Sequence, residues 1–138
     1  MKKTILLLLL FASIQISQTK EKEMTEIEQT AERLATEQLE AYNNRDIDKF
    51  LVPFSDSVEI YTFPDELMYK GKEKMRDRYG KMFEKAVNLH CKLTHREVLG
   101  NVVIDTEEVT GIIEGEIVNA IAIYTIENDK IQNVHFIK

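Results

Sequence analysis

The chain has 138 residues, 43% of them hydrophobic and 30% charged, with a formal net charge of −6. That length holds one domain with a real core and is too short for two ordinary ones, and the acidic balance argues against nucleic acid and anionic membrane as partners. The only cysteine, Cys91, excludes an intrachain disulfide and, in a strand-like run, reads as a small buried thiol rather than a nucleophile.

Residues 1–17, MKKTILLLLLFASIQIS, place two lysines before an apolar run that ends in small and polar residues. This is the layout of a cleaved secretory signal peptide, and the run is short for a bilayer span. The chain is therefore expected to be exported, to periplasm or medium, with no integral span after cleavage. Cleavage takes away Lys2 and Lys3 and no acid, so the net charge moves from −6 to −8. Residues 18–24 form a polar, flexible lead-in, and residues 25–138 form a single domain.

A first helix follows. Thr25 and Glu28 fit a capping box, and Ile27, Ala31, Leu34, Ala35, Gln38, Leu39 and Tyr42 recur on one helical stripe. Asn43-Asn44-Arg45-Asp46 breaks it, and Asp46 caps a short second helix carrying Ile47, Phe50 and Leu51. Ser55–Ser57 is expected as a turn before a strand from Val58 to Phe63, then a turn and a brief extended piece. A third helix over about residues 72–85 sets Met75, Tyr79, Met82 and Phe83 against a charged side that reads as solvated. From Leu89 onward, turn residues at Gly100-Asn101, Glu114-Gly115 and Glu127–Lys130 separate four β-rich runs, an antiparallel meander. Helices gathered on one face of a curved antiparallel sheet make an α+β fold.

With the AYNNRDIDKFLVPFSDSVEI segment, a helix after YKGKEKMRDRY, LGNVVIDTEEVTG and IAIYTIENDKIQNVHFI, the chain resembles the nuclear transport factor 2-like superfamily over about residues 27–138. Within it, the resemblance is to the SnoaL-like and steroid delta-isomerase-like branch. It implies a cone-shaped, cystatin-like fold with a ligand cavity between helices and sheet, Ala120 and Ala122 lining its inside, and a homodimer through the outer sheet face. Both faces of the run Asn119–Ile126 are largely apolar, as a sheet covered on two sides requires. Members of this kind need no cofactor.

The isomerase branch uses a carboxylate base with a tyrosine and a protonated acid as oxyanion donors. Carried over position by position, the tyrosine falls on Gln38, the base on Thr62 (or Phe63 after a slip of one) and the acid on Ala122, so none is retained. A threonine has no useful basicity near neutral pH. Two other carboxylates are candidate acids or bases, Glu107 and Glu108, on opposite faces of one strand. The family's VID-x-E run selects Glu107 and the isomerase strand selects Glu108, so both stay open. Gln38, Tyr42, Tyr61, Phe63, Tyr79, Phe83, His90, Ala122 and Tyr124 are candidate ligand contacts. His90 and His95, five apart, face opposite sides of a regular strand, and no metal-binding spacing occurs. The functions these features suggest are a binder of a small, mostly apolar molecule, an enzyme of the same fold with a different acid or base, or a dimerisation module without ligand.

Overall fold

A computed structural model describes residues 22–138. The predicted signal peptide and the first residues of the lead-in lie outside the described residues. Helix α1, Glu26–Asn43, starts at the predicted box: the Glu28 amide donates to Thr25 Oγ1 at 3.2 Å and the Thr25 amide donates to Glu28 Oε2 at 2.8 Å. Helix α2, Ile47–Leu51, is capped by Asp46, whose carboxylate accepts from the Lys49 amide at 3.0 Å. Helix α3 is Lys72–Lys85.

The strands are β1 Phe54–Thr62, β2 Glu66–Lys70, β3 His90–Leu99, β4 Val102–Thr110, β5 Ile117–Glu127 and β6 Lys130–Ile137, in sheet order β2-β1-β6-β5-β4-β3. The last four form the expected antiparallel meander. One pairing departs from an all-antiparallel sheet: β1 lies parallel to β6. Parallel neighbours need a long crossover, and α3 with the rest of the meander supplies it. β1 also begins earlier than expected. The predicted turn at Ser55–Ser57 is extended chain within a nine-residue strand, and its pairing register with β6 shifts between Phe54 and Glu59.

The open sheet curls around the helices. Ala31 and Ala35 of α1, Val58 of β1, Val103 of β4, Ala122 of β5 and Ile131 of β6 are fully buried between them. Small alanines let α1 approach the sheet closely, and large aromatic rings fill the wider end. Tyr42, Phe50, Phe54, Tyr79 and Phe83 form one cluster joining α1, α2, β1 and α3, with Phe50 4.6 Å from Tyr79 and Tyr42 edge-on to Phe83 at 5.5 Å. A fully buried ring such as Phe50 contributes about 1.5–3 kcal/mol through apolar burial.

Asn43, the last residue of α1, holds the edge strand β3. Its Nδ2 donates to the Cys91 carbonyl at 2.9 Å and its Oδ1 accepts from the Cys91 amide at 2.7 Å. The carboxamide thus completes a backbone edge that has no neighbouring strand.

Candidate functional site

A cavity of about 580 Å³ opens between α1, α3 and the concave face of the sheet. Strand alternation decides what reaches it. On β4, Val103, Asp105, Glu107 and Val109 point inward and are buried, while Glu108 points outward, 3.4 Å from Lys92. The open choice between the two glutamates is thereby resolved geometrically: Glu107 lines the cavity, flanked in register by Leu93 and Ala120, and Glu108 does not.

Glu107 is only 6% exposed. Burial pushes its carboxyl up to about 7, and the negative charge of Asp105 adds to the rise. The Cys91 thiol, the Arg96 guanidinium and the Tyr124 hydroxyl act in the opposite direction. Near neutral pH this carboxyl can both give and accept a proton, the property a general acid–base group needs.

The surroundings of Glu107 are organised from two directions. Gln38 of α1 donates through Nε2 to Tyr124 Oη at 3.0 Å and to the Ala35 carbonyl at 3.1 Å. The phenol oxygen is therefore already an acceptor, and the single Tyr124 proton is directed at the Glu107 carboxylate, which accepts it. On the sheet side, Arg96 makes a two-pronged ion pair with Asp105, Nε to Oδ1 and Nη2 to Oδ2 both at 2.7 Å, and its Nη1 donates to Thr36 Oγ1 at 2.6 Å. This pair fixes the charge beside Glu107. Burial raises the Tyr42 and Tyr124 phenols and the Cys91 thiol well above their ordinary values, so these three stay protonated.

Gln38, Tyr42, Glu107, Tyr79 and Tyr124 meet at the cavity. Five other candidates do not line it. Tyr61 stacks on His135 at 4.5 Å and donates to Glu59 at 2.5 Å on the outer face, because Val58 and Ile60 take the inward positions of β1. Phe63 stands half exposed in the turn after β1. His90 points outward, because its neighbour Cys91 points in. Phe83 is buried in the aromatic cluster behind the wall. Ala122 is fully buried in the lateral row that joins Arg96, Asp105 and Phe136, where its small side chain leaves room for the ion pair. Gln38 also differs from expectation in role: its two amide protons are engaged by Tyr124 and the Ala35 carbonyl, so it positions Tyr124 and has no N–H to donate to a ligand in the cavity it lines.

The strand β3 holds a further departure. Its register shifts between Leu93 and His95, at Thr94, whose Oγ1 donates to the Thr106 carbonyl at 2.9 Å. This bulge reverses the alternation. His90 and His95 consequently share the outer face, and Arg96 turns inward to reach Asp105. Among the described residues no three His, Cys, Asp or Glu side chains are placed to hold a metal ion. Sequence reasoning also missed the cavity mouth, where Arg78 and Lys81 of α3 belong to a helix side that reads as merely solvated.

A curved sheet wrapped on three helices with a buried acid in the hollow defines a cone-fold cavity protein. The SnoaL-like domain model matches residues 35–134, so the chain belongs to the SnoaL-like domain family. A cystatin-fold protein from Novosphingobium aromaticivorans shares 25% identity over 79% of this chain and 97% of its own, with a TM-score of 0.71. A nuclear transport factor 2-like protein of unknown function from Cytophaga hutchinsonii has 16% identity over 85% and 92%, TM-score 0.66. A provisionally assigned SnoaL-like polyketide cyclase from Jannaschia sp. CCS1 has 12% identity over 85% and 90%, TM-score 0.69. No functionally curated protein matches the sequence.

Proposed function

We propose that the cavity takes a small, mostly apolar carbonyl compound and that Glu107 moves a proton on it. The observation that carries this reading is a carboxyl poised near neutrality in the wall of a largely apolar cavity. As a carboxylate, Glu107 takes the proton beside the carbonyl. Protonation of Glu107 weakens its hold on the Tyr124 hydroxyl, which, kept in place by Gln38, then donates to the oxygen where charge has collected. Glu107 then returns the proton to another carbon, or the enolate carbon attacks a second carbonyl and closes a ring, with Glu107 giving its proton to the alkoxide that the opened C=O bond leaves. The family membership and the cyclase-like neighbour support this class of chemistry. The site differs from the isomerase arrangement by drawing its base from β4, where β1 offers only Thr62.

The test does not need the natural substrate. Small apolar ketones are incubated with protein in heavy water, and replacement of their α-protons is followed by NMR. Exchange faster than buffer, reduced about 10²-fold or more in Glu107→Gln, is the expected result. Exchange that Glu107→Gln leaves unchanged, or no exchange with any ketone, contradicts it.

Export and pairing complete the reading. Residues 1–17 support export as a cleaved signal, checked by the N-terminal sequence of protein recovered from its host. A homodimer through the outer sheet face is supported by Ile121 and Ile123, apolar side chains left only half-buried on that face. A sedimentation mass of one chain at micromolar concentration would remove it.

A further inference from the structure

The cavity has a sign, and it is opposite to that of the chain. The protein is acidic overall, yet the exposed charged side chains that line the cavity are Arg78, Lys81, Lys138 and a single acid, Asp77. Asp77 and Lys81 offset one another, paired at 2.8 Å along the same helix, which leaves the positive charge to Arg78 and Lys138. Arg78 has no carboxylate partner among the described residues. Its guanidinium carbon lies 4.6 Å from the centre of the Tyr69 ring, itself part of the cavity wall. Stacking of this kind holds the guanidinium plane in place while leaving its N–H edge free. A planar fork with no acid to meet is suited to an oxyanion.

The interior carries the opposite preference. Its walls are apolar apart from Gln38, Glu107 and the hydroxyl and thiol groups beside them, and Asp105 lies buried behind Glu107. An anion driven inward would lose its water against apolar walls and meet the Glu107 carboxyl, with no free cation there because Arg96 is committed to Asp105. An anion left at the mouth would keep part of its hydration and meet Arg78.

We infer that the guest is amphipathic, with an apolar body inside the cone and an oxyanion group, such as a carboxylate, held at the mouth by Arg78. This deepens the cavity reading and depends on it. It specifies the substrate class as apolar acids and fixes which end enters first. Arg78 is then a binding residue, remote from the proton that Glu107 moves.

The experiment uses N-phenyl-1-naphthylamine, an uncharged probe whose fluorescence rises in apolar cavities, displaced in turn by octanoate and by octan-1-ol. The two competitors share a chain and differ in the anion. Octanoate is expected to compete about fivefold better than octanol. Arg78→Gln should erase most of that advantage, while probe affinity stays within about twofold, showing the cavity intact. Raising the salt concentration should shrink the advantage in the unmodified protein. If the probe binds but octanol competes as well as octanoate, or if Arg78→Gln leaves the difference unchanged, the anion assignment is overturned and the cavity reading survives. If the probe does not bind at all, both are overturned.

Discussion

Glu107 owes its proton affinity first to burial between two register partners and then to one charge on its own strand. Ala120 on β5 offers no polar contact, Leu93 on β3 closes the other side, and Asp105 two residues back adds negative charge. The consequence for stability follows from the direction of the shift. The folded state holds its proton to about pH 7, against an ordinary value of 4.5. Below 4.5 both states are protonated and the group is neutral in effect. Between 4.5 and 7 the folded chain binds more protons than the unfolded one, so stability falls as pH rises, by about 3 kcal/mol once pH exceeds 7. Urea unfolding should therefore show Glu107→Gln gaining stability relative to the unmodified protein between pH 4 and pH 8. Parallel pH profiles for the two would show that the carboxyl is not held in this way. At this scale the sequence narrowed the choice to two adjacent glutamates and could go no further. Alternation says that they face opposite sides and not which side is the core. The deciding facts are cross-strand: Lys92 opposite Glu108 and Ala120 opposite Glu107. His90 shows the same limit, since its outward direction follows from Cys91 being pinned beneath Asn43.

Elements were more legible than side-chain directions wherever a local signal ends them. The Thr25–Glu28 box and the Asp46 cap each bind backbone groups within four residues, so their chemistry is readable in a short window. The bulge at Thr94 leaves no such mark, and neither does the parallel contact of β1 with β6, which joins residues some seventy apart. The link from β4 to β5 tests how tightly elements are packed at the mouth. Gly111 has φ +83°, and a Cβ there would stand 2.3 Å from the Asn88 carbonyl oxygen in the segment between α3 and β3. Gly115, in the same link, has φ +75° and open space around it. Both substitutions to alanine strain the backbone by about 1 kcal/mol. Gly111→Ala must also push two backbones apart, and its total cost should exceed that of Gly115→Ala by about 2 kcal/mol in urea unfolding. Equal costs would mean that the close approach is not a constraint. Because Ile112 lines the cavity next door, this packing also sets the shape of its entrance.

For the whole molecule, the architecture is a division of labour between a sheet that curves and helices that fill only part of the hollow. Alanines on α1 and the aromatic cluster close one region, and the Arg96–Asp105–Thr36 contact closes another, which leaves the hollow between α1, α3 and the sheet. The hydrophobic pattern made the layered α+β plan legible, because the burial of a helix stripe or strand face is written locally. The volume left over was not legible, since it depends on how far separate elements stand apart. Central to the proposed function is a protonatable Glu107 carboxyl in the wall of the cavity. The direct measurement is an NMR titration of the Glu107 side-chain carboxyl in protein carrying carbon-13-labelled glutamate, free and with N-phenyl-1-naphthylamine bound, assigned by its loss in Glu107→Gln. A midpoint near 7 in the free protein, moving higher as the guest displaces water, is the predicted result. A midpoint near 4.5 that the guest does not move would place Glu107 in contact with solvent and contradict the account.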